Sequence, residues 1–208
     1  MTTTATRERP ILFSGPMVRA ILDGRKSQTR RVVKFCKGGP FADHRHWPTC
    51  YRTHDGGWGW CDGDAPIPAM FDRPGKLCPY GQPGDRLWVR EAFCYGDQEP
   101  CDCPASACRC RPSVHYREDW GGIDDDVRWR PSIHMPRWAC RLTLEVMSVR
   151  VQRVQDINEW DAVEEGRSLT PGDPRGYFPE TWDEINGKRG FGWDANPWVW
   201  AVEFRVVR

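Results

Sequence analysis

The sequence predicts an α+β fold in which a small β-barrel is flanked by short helices and carries a cysteine-rich loop insertion. The clearest periodicity is that of a half-buried strand, and it is strongest over residues 198–207. The 12 tryptophans, 20 glycines and 18 prolines are typical of short strands, many turns and packed rings. A chain of 208 residues fits one domain, 1–208, with insertions at about 36–82 and 94–127.

Charge and hydropathy exclude several classes of protein. The formal net charge is +1, so contact with a polyanion has to come from local basic patches. The sequence has no apolar run typical of a signal peptide or of a membrane span, and we expect a cytoplasmic protein with no membrane partner. In a reducing compartment the ten cysteines favour free thiols or metal ligation over a disulfide framework.

The first predicted elements are a strand near residues 11–13 and a helix over 16–23. Ser14 is a suitable N-cap, Pro16 suits the first helical turn, and Gly24 is a natural stop. A second strand is predicted near residues 31–35. Between helix and strand, residues 24–31 form a basic loop that is well placed to hold an anion, although a solvated charged turn explains the same residues.

A turn-rich run over residues 78–85 leads into a predicted strand over 86–93. Alternation places Leu87 and Val89 on one face of this strand and Trp88 and Arg90 on the other. The pattern indicates a barrel strand with a functional rim.

Four cysteines lie close together in the second insertion. Cys101, Cys103, Cys108 and Cys110 are near enough in sequence to close around one structural zinc ion, which would order a loop that has no core of its own. The alternative is a set of thiols without metal, because paired C-x-C spacing is less specific than two C-x-x-C knuckles.

The last third of the chain predicts a long strand over 141–154, helices over 157–165 and 179–186, and a closing strand over 198–207. A phase shift near Met147 and Ser148 indicates a bulge in the long strand. The closing strand is expected to be central and paired on both sides.

Particular residues carry a family resemblance. The order Gly24-x-Lys26-x-x-Thr29-x-Arg31, then residues 84–91, then a late helix with Glu165 and a closing strand, resembles the ASCH domain family of the PUA-like superfamily. Residues 130–138 and 192–198 resemble its longer, phage- and prophage-associated branch. The resemblance implies a PUA-like barrel associated with RNA.

Within this family, small bacterial amidohydrolases act on N4-acetylcytidine. The resemblance places their catalytic roles on Lys26, Thr29 and Glu165. A lysine with a lowered pKa can take the proton from a threonine hydroxyl, which then attacks the acetyl carbonyl, while a glutamate orients the lysine or shuttles protons. Other members resemble ribonucleases or RNA-binding modules.

The sequence therefore predicts an ASCH-domain protein that binds RNA or a modified nucleoside in a cleft. Residues 24–31, residues 84–91 and the Glu165 helix are expected to line it. The predicted nucleic-acid contacts are Arg25, Arg30, Arg31, Arg86, Trp88 and Arg90. An amidohydrolase that deacylates N4-acetylcytidine-type nucleosides and a ribonuclease are the alternatives.

Overall fold

Strands and short helices alternate along the chain, which makes the protein α+β, as the sequence predicts. The computed structural model describes residues 6–33, 78–96, 111–121, 127–166 and 178–207, and the backbone of 49–52, 58–62 and 65–66. The strands are β1 (Glu8–Leu12), β2 (Gln28–Val32), β3 (Thr49–Arg52), β4 (Trp58–Asp62), β5 (Ala65–Pro66), β6 (Arg86–Arg90), β7 (Phe93–Tyr95), β8 (Val114–Tyr116), β9 (Thr143–Arg153) and β10 (Trp198–Val207). The helices are α1 (Gly15–Leu22), α2 (Glu159–Glu164) and α3 (Phe178–Asn186), and short 3-10 helices lie at Arg117–Asp119, Ser132–His134, Arg137–Ala139, Val154–Asp156, Gly187–Arg189 and Trp193–Ala195.

The main sheet of the described residues has five strands in the order β1-β6-β9-β10-β2. Strand β1 runs parallel to β6, and the other neighbours are antiparallel. The predicted closure into a barrel is wrong for this part of the chain, because β1 and β2 remain the two edges of the sheet. The side chain of Arg31 crosses the gap instead, donating from Nη2 to the backbone oxygen of Leu12 at 2.6 Å.

Strand β10 is central and paired on both sides, with β9 and β2, as the sequence predicts. The predicted bulge is also present. Glu203 lies opposite Ser148 and Phe204 lies opposite Val146, so Met147 is the extra residue on β9. A bulge of this kind increases the local twist, which curls the two longest strands around the core.

Both faces of β10 are buried, which differs from the single apolar face expected from its alternation. Trp200 lies in the larger core cluster, together with residues such as Ile11 and Phe204. Val199 packs on the opposite face, in a second cluster formed with α2 and α3 that includes Phe178 and Trp182. The two helices therefore cover the face of the sheet that the alternation had suggested was polar.

The first helix starts and ends close to its predicted positions. Pro16 occupies its first turn, and Gly24 has a φ of 73°, a left-handed conformation that favours glycine after a helix. Ser14 is the N-cap residue, but its side chain makes no capping hydrogen bond. Strand β2 begins at Gln28 and not near residue 31, so most of the predicted basic loop belongs to a strand.

The insertions contain some regular structure. Strands β3, β4 and β5 form a small antiparallel sheet, and β7 pairs with β8. The predicted zinc ligands Cys101, Cys103, Cys108 and Cys110 lie outside the described residues. Within the described ranges, no three His, Cys, Asp or Glu side chains are grouped to hold a metal ion. No helix in those ranges combines the length and the apolar character that crossing a lipid bilayer requires.

Candidate functional site

A cleft lies where the sheet fails to close, between the edge strands β1 and β2. Its volume is about 310 Å³. Helix α3 forms a further wall, and Arg90 reaches it from the end of β6. The lining includes Leu12, Thr29, Arg30, Arg31, Tyr80, Arg90, Glu165, Phe178, Trp182 and Arg189.

Strand β2 divides its basic residues between two environments, because alternate side chains of a strand point to opposite faces. Arg31 lies beside the larger core cluster, with its guanidinium carbon 5.1 Å from the centre of the Phe13 ring. Arg30 points the other way and pairs with Asp161 of α2. Two consecutive arginines therefore have different partners and are open to different roles.

Lys26 is buried, at 2% exposure, and precedes β2. Its ammonium donates to the backbone oxygen of Gln28 at 2.7 Å, to the backbone oxygen of Glu165 at 2.9 Å and to Oε2 of Glu165 at 2.7 Å. Burial lowers the pKa of Lys26, and the carboxylate of Glu165 opposes that shift. Three acceptors match the three hydrogens of an ammonium group, so this geometry favours the protonated form.

Lys26 and Glu165 also pair through their backbones, as an isolated antiparallel bridge. Gly166, directly after Glu165, has a φ of 93°, and a Cβ at this position would lie 2.8 Å from the Cβ of Ala20 and 3.0 Å from that of Lys26. Only glycine fits there without displacing its neighbours. This close approach is what brings a glutamate from the end of α2 against a lysine 139 positions earlier in the chain.

Arg30 is the second cation of this buried region. Its Nη1 donates to Oε1 of Gln28 at 2.6 Å and to Oε1 of Glu165 at 3.2 Å, and its Nη2 lies 2.8 Å from Oδ2 of Asp161. Burial raises the pKa of Asp161, but Arg30 and the amide of Gln28 outweigh it, so the net shift is downward. We call Lys26, Gln28, Arg30, Asp161 and Glu165 the buried ionic network.

Helix α2 presents these carboxylates because of how it begins. Asn158 is the N-cap and accepts a hydrogen bond from the backbone of Asp161, whose side chain in turn accepts one from the backbone of Asn158. Glu164, the residue before Glu165, accepts a hydrogen bond from Nε2 of Gln28 at 3.0 Å. Burial, then Glu203 and Asp161, raise the pKa of Glu164.

Three arginines at the cleft have no ion pair among the described residues: Arg31, Arg90 and Arg189. Burial lowers the pKa of Arg31, while Tyr80 and Glu165 oppose that shift and Arg189 adds to it. Arg90 lies over the ring of Trp88 at 4.5 Å and donates to the backbone oxygen of Ile133 at 3.1 Å. We call these three the cleft arginines.

Aromatic rings form much of the remaining wall. Phe178 and Trp182 stack with their centres 6.2 Å apart, and Nε1 of Trp182 donates to the backbone oxygen of Phe191 at 2.7 Å. Tyr80 faces the cleft near Arg31, and burial raises the pKa of its hydroxyl. The site therefore combines rings, unneutralised cations and one carboxylate.

The structure brings only some of the predicted site residues together. Lys26 and Glu165 touch, and Thr29 and Glu165 both line the cleft, but the hydrogen bonds of Lys26 go to Gln28 and Glu165 and not to Thr29. Of the predicted nucleic-acid contacts, Arg30, Arg31 and Arg90 line the cleft, whereas the other three do not. Arg25 pairs with Asp23 on the surface, Arg86 is exposed elsewhere, and Trp88 is buried under Arg90.

Sequence reasoning missed the contribution of α3 and its neighbours. Tyr80, Phe178 and Arg189 line the cleft, and none of them belongs to a motif that the family resemblance rests on. A basic pair, Lys188 and Arg189, directly after a helix was the available signal for a further cation.

Comparisons with known proteins find distant structural similarity. No family model matches the chain, and no curated protein matches it. One similar solved structure is a DUF984-family protein from Enterococcus faecalis V583, with a TM-score of 0.43 and 8% identity, covering 98% of this chain and 82% of that one. Another is an ASCH domain from Lactobacillus crispatus JV V101, with a TM-score of 0.41 and 11% identity, covering 96% of this chain and 79% of that one. At this distance neither similarity supports a functional inference.

Proposed function

We propose that the cleft binds a nucleotide of single-stranded RNA or a modified nucleoside, without requiring a catalytic lysine. The observation that carries the proposal is the position of the cleft arginines beside aromatic rings, with no carboxylate among the described residues paired to them. Guanidinium groups recognise phosphate through charge-assisted hydrogen bonds, and rings stack on bases. The ASCH resemblance supports RNA as the source of such a ligand.

The dimensions suit one unit of a strand. A volume of about 310 Å³ is at the lower end of the range for small-molecule sites. That space suits a base with its sugar, and a duplex is too wide to enter. A phosphate at Arg31 and Arg189 would leave the base facing Tyr80 and the α3 rings.

The state of Lys26 favours binding over base catalysis. A general base needs a free lone pair, and an ammonium that donates to three protein acceptors has none. Glu165 stabilises that charged form at 2.7 Å. Lys26 therefore serves to hold Glu165 and β2 in place beneath the cleft.

An amidohydrolase is the second candidate, favoured by two specific contacts. Thr29 and Glu165 both line the cleft, and Glu165 hydrogen-bonds to Lys26. Transfer of a proton from Lys26 to Glu165 would create the neutral amine that this chemistry needs. A ligand in the cleft would have to trigger that transfer.

The test is a titration of the purified protein with uridine, uridine monophosphate, N4-acetylcytidine and a short single-stranded RNA. We expect Arg189→Ala to weaken the binding of uridine monophosphate about tenfold and that of uridine much less, because the loss is at the phosphate. Arg205→Ala is the matched control. The side chain of Arg205 is 63% exposed and pairs with Glu145, so this substitution removes the same charge at a position away from the cleft.

The reaction products separate the alternatives. If the protein releases acetate from N4-acetylcytidine and Thr29→Val abolishes that release, the protein is an amidohydrolase and the binding proposal is wrong. If the RNA is shortened, the protein is a ribonuclease. Equal effects of Arg189→Ala and Arg205→Ala would show that the cleft is not where the phosphate binds.

A further inference from the structure

A second basic and aromatic surface lies outside the cleft, on the segment that resembles the long branch of the family. Tyr95 and Trp138 stack almost parallel, at 9°, with ring centres 5.7 Å apart. The guanidinium carbon of Arg111 lies 5.0 Å from the centre of the Trp138 ring, and that of Arg130 lies 4.6 Å from the centre of the Tyr95 ring. We call these four residues the Trp138 platform.

A small separate core holds the platform in place. Phe93, Met135 and Ala139 form its buried centre, and Tyr95 packs against it. The hydroxyl of Tyr116 donates to the backbone oxygen of Ala139 at 2.8 Å, directly after Trp138. Trp138 as a residue is nevertheless 37% exposed, so part of a well-fixed side chain is accessible to a partner.

The segment that carries Arg130 and Trp138 contains basic but no acidic residues. Residues 127–144 contain four arginines and one histidine, and no aspartate or glutamate. Two of these arginines are neutralised, Arg137 by Glu8 and Arg141 by Glu91. Arg111 and Arg130 are exposed and have no ion pair with any residue that the structure describes.

A purely structural role for the platform does not explain why Arg111 and Arg130 have no acidic partner among the described residues. An arginine on an aromatic ring stabilises a surface modestly, and neighbouring carboxylates normally offset the repulsion between several such cations. Here the platform cations lack such partners among the described residues. Exposed rings next to exposed cations match what a single strand offers, namely unpaired base faces and phosphates.

The platform is connected to the cleft through a short series of cations. Arg90 lines the cleft, lies over Trp88 and donates to the backbone oxygen of Ile133. Arg137 lies 6.0 Å from the same Trp88 ring, and the next residue in the chain is Trp138. These contacts give a strand that leaves the cleft past Arg90 a path to the platform, along which Glu8 offsets the charge of Arg137.

We infer that the Trp138 platform binds the nucleotides that flank the one in the cleft, so that the ligand is a single-stranded RNA segment and not a free nucleoside. The inference rests on the proposed function for the position of the strand, but the platform's own contacts do not depend on the cleft. A base packs against the part of the Trp138 indole that Tyr95 and Arg111 leave exposed, and Arg111 and Arg130 bind the adjoining phosphates. A duplex is excluded because its base faces are covered.

The experiment compares two ligands, uridine monophosphate and a labelled single-stranded RNA of about ten nucleotides. We expect Trp138→Ala to weaken binding of the RNA about tenfold and to leave binding of uridine monophosphate unchanged, and Trp138→Phe to restore most of the loss. Trp160→Ala is the matched control, because Trp160 is 80% exposed and lies on α2, away from both surfaces. The thermal midpoint of each variant shows whether it is folded.

A second measurement does not depend on the tryptophan. Arg130→Gln should reduce the slope of log affinity against log salt concentration by about one for the RNA, as expected for one lost phosphate contact. Loss of RNA binding in Trp138→Ala when uridine monophosphate does not bind at all would support the platform and refute the cleft proposal. The inference would be overturned if Trp138→Ala and Arg130→Gln both bound the RNA with wild-type affinity. It would also be overturned if the protein bound a duplex as tightly as the single strand.

Discussion

The cations of the buried ionic network and the cleft arginines differ in their hydrogen bonding. In the buried ionic network, Lys26 donates three hydrogen bonds to protein acceptors and Arg30 faces two carboxylates. Of the cleft arginines, Arg31 donates to one backbone oxygen and otherwise lies against a ring. Arg30 and Arg31 are adjacent in sequence and both line the cleft, but alternation along the strand gives Arg30 carboxylate partners and leaves Arg31 with none among the described residues.

This difference indicates which cations stabilise the fold and which are available to bind a ligand. A buried charge with every hydrogen bonded is costly to disturb and has little left to offer a substrate. A cation at a cleft without a carboxylate partner carries an unsatisfied charge that an anion can neutralise. On this basis Lys26 belongs to the scaffold and Arg31 to the binding surface.

The largest expected effect tests the scaffold. Lys26→Ala leaves Glu165 buried without its main partner, and we expect the free energy of unfolding to fall by about 3–5 kcal/mol. Urea denaturation followed by circular dichroism measures the change. The control is Arg205→Ala, which removes a largely exposed cation from its pair with Glu145 and should cost less than about 1 kcal/mol.

If Lys26→Ala unfolds at the wild-type urea concentration, the network is not structural and the distinction between the two sets of cations fails. A folded Lys26→Ala protein that has lost only a hydrolytic activity would point to the amidohydrolase instead. Both readings use the same purified variant.

The next effect in size tests the binding surface. Arg31→Ala removes a charged donor to phosphate, worth about 1.5–3 kcal/mol, so the affinity for uridine monophosphate should fall roughly ten- to a hundredfold. Isothermal titration calorimetry measures it. Stability should fall by less than in Lys26→Ala, since Arg31 has no carboxylate partner among the described residues to leave stranded.

An Arg31→Ala protein that binds the nucleotide normally would contradict the proposed division. It would show that Arg31 contributes only by bridging β2 to Leu12 at the open seam of the sheet.

The smallest expected effect concerns stability at acid pH and tests whether Arg30 stabilises the ionised form of Asp161. The net shift lowers the pKa of Asp161 in the folded protein below its ordinary value of 3.8, so the unfolded chain takes up the proton first as the pH falls. The stability that Asp161 contributes is complete above the unfolded pKa and is lost as the pH falls through the folded pKa. The difference in unfolding free energy between the wild type and Asp161→Asn should therefore shrink on going from about pH 6 to about pH 3.

A difference that grows with acidification would show that Asp161 has a raised pKa and is not held by Arg30. Glu164, whose pKa shifts upward, provides the contrast within the same helix: the wild type should gain stability relative to Glu164→Gln as the pH falls.

Sequence patterns identified the local features correctly where short-range physics decides them. The stop of α1 at Gly24, the bulge at Met147 and the central position of β10 depend on turn conformation and on alternation, which neighbouring residues specify. The same reasoning placed the start of β2 too late, because Gln28 and Thr29 become strand residues by pairing with β10, a partner far along the chain.

Residue patterns alone predict the α+β class, the order of the main elements and the basic residues around the cleft. The folded structure is needed to show that the sheet stays open between β1 and β2, that Lys26 is enclosed by Glu165 and that α3 completes the cleft. The reason is that these outcomes depend on contacts between residues more than a hundred positions apart, such as the fit of Gly166 against Ala20. Whether a cation has an ion-pair partner depends on which carboxylates from distant parts of the chain lie within reach of it. The sequence alone does not give those distances.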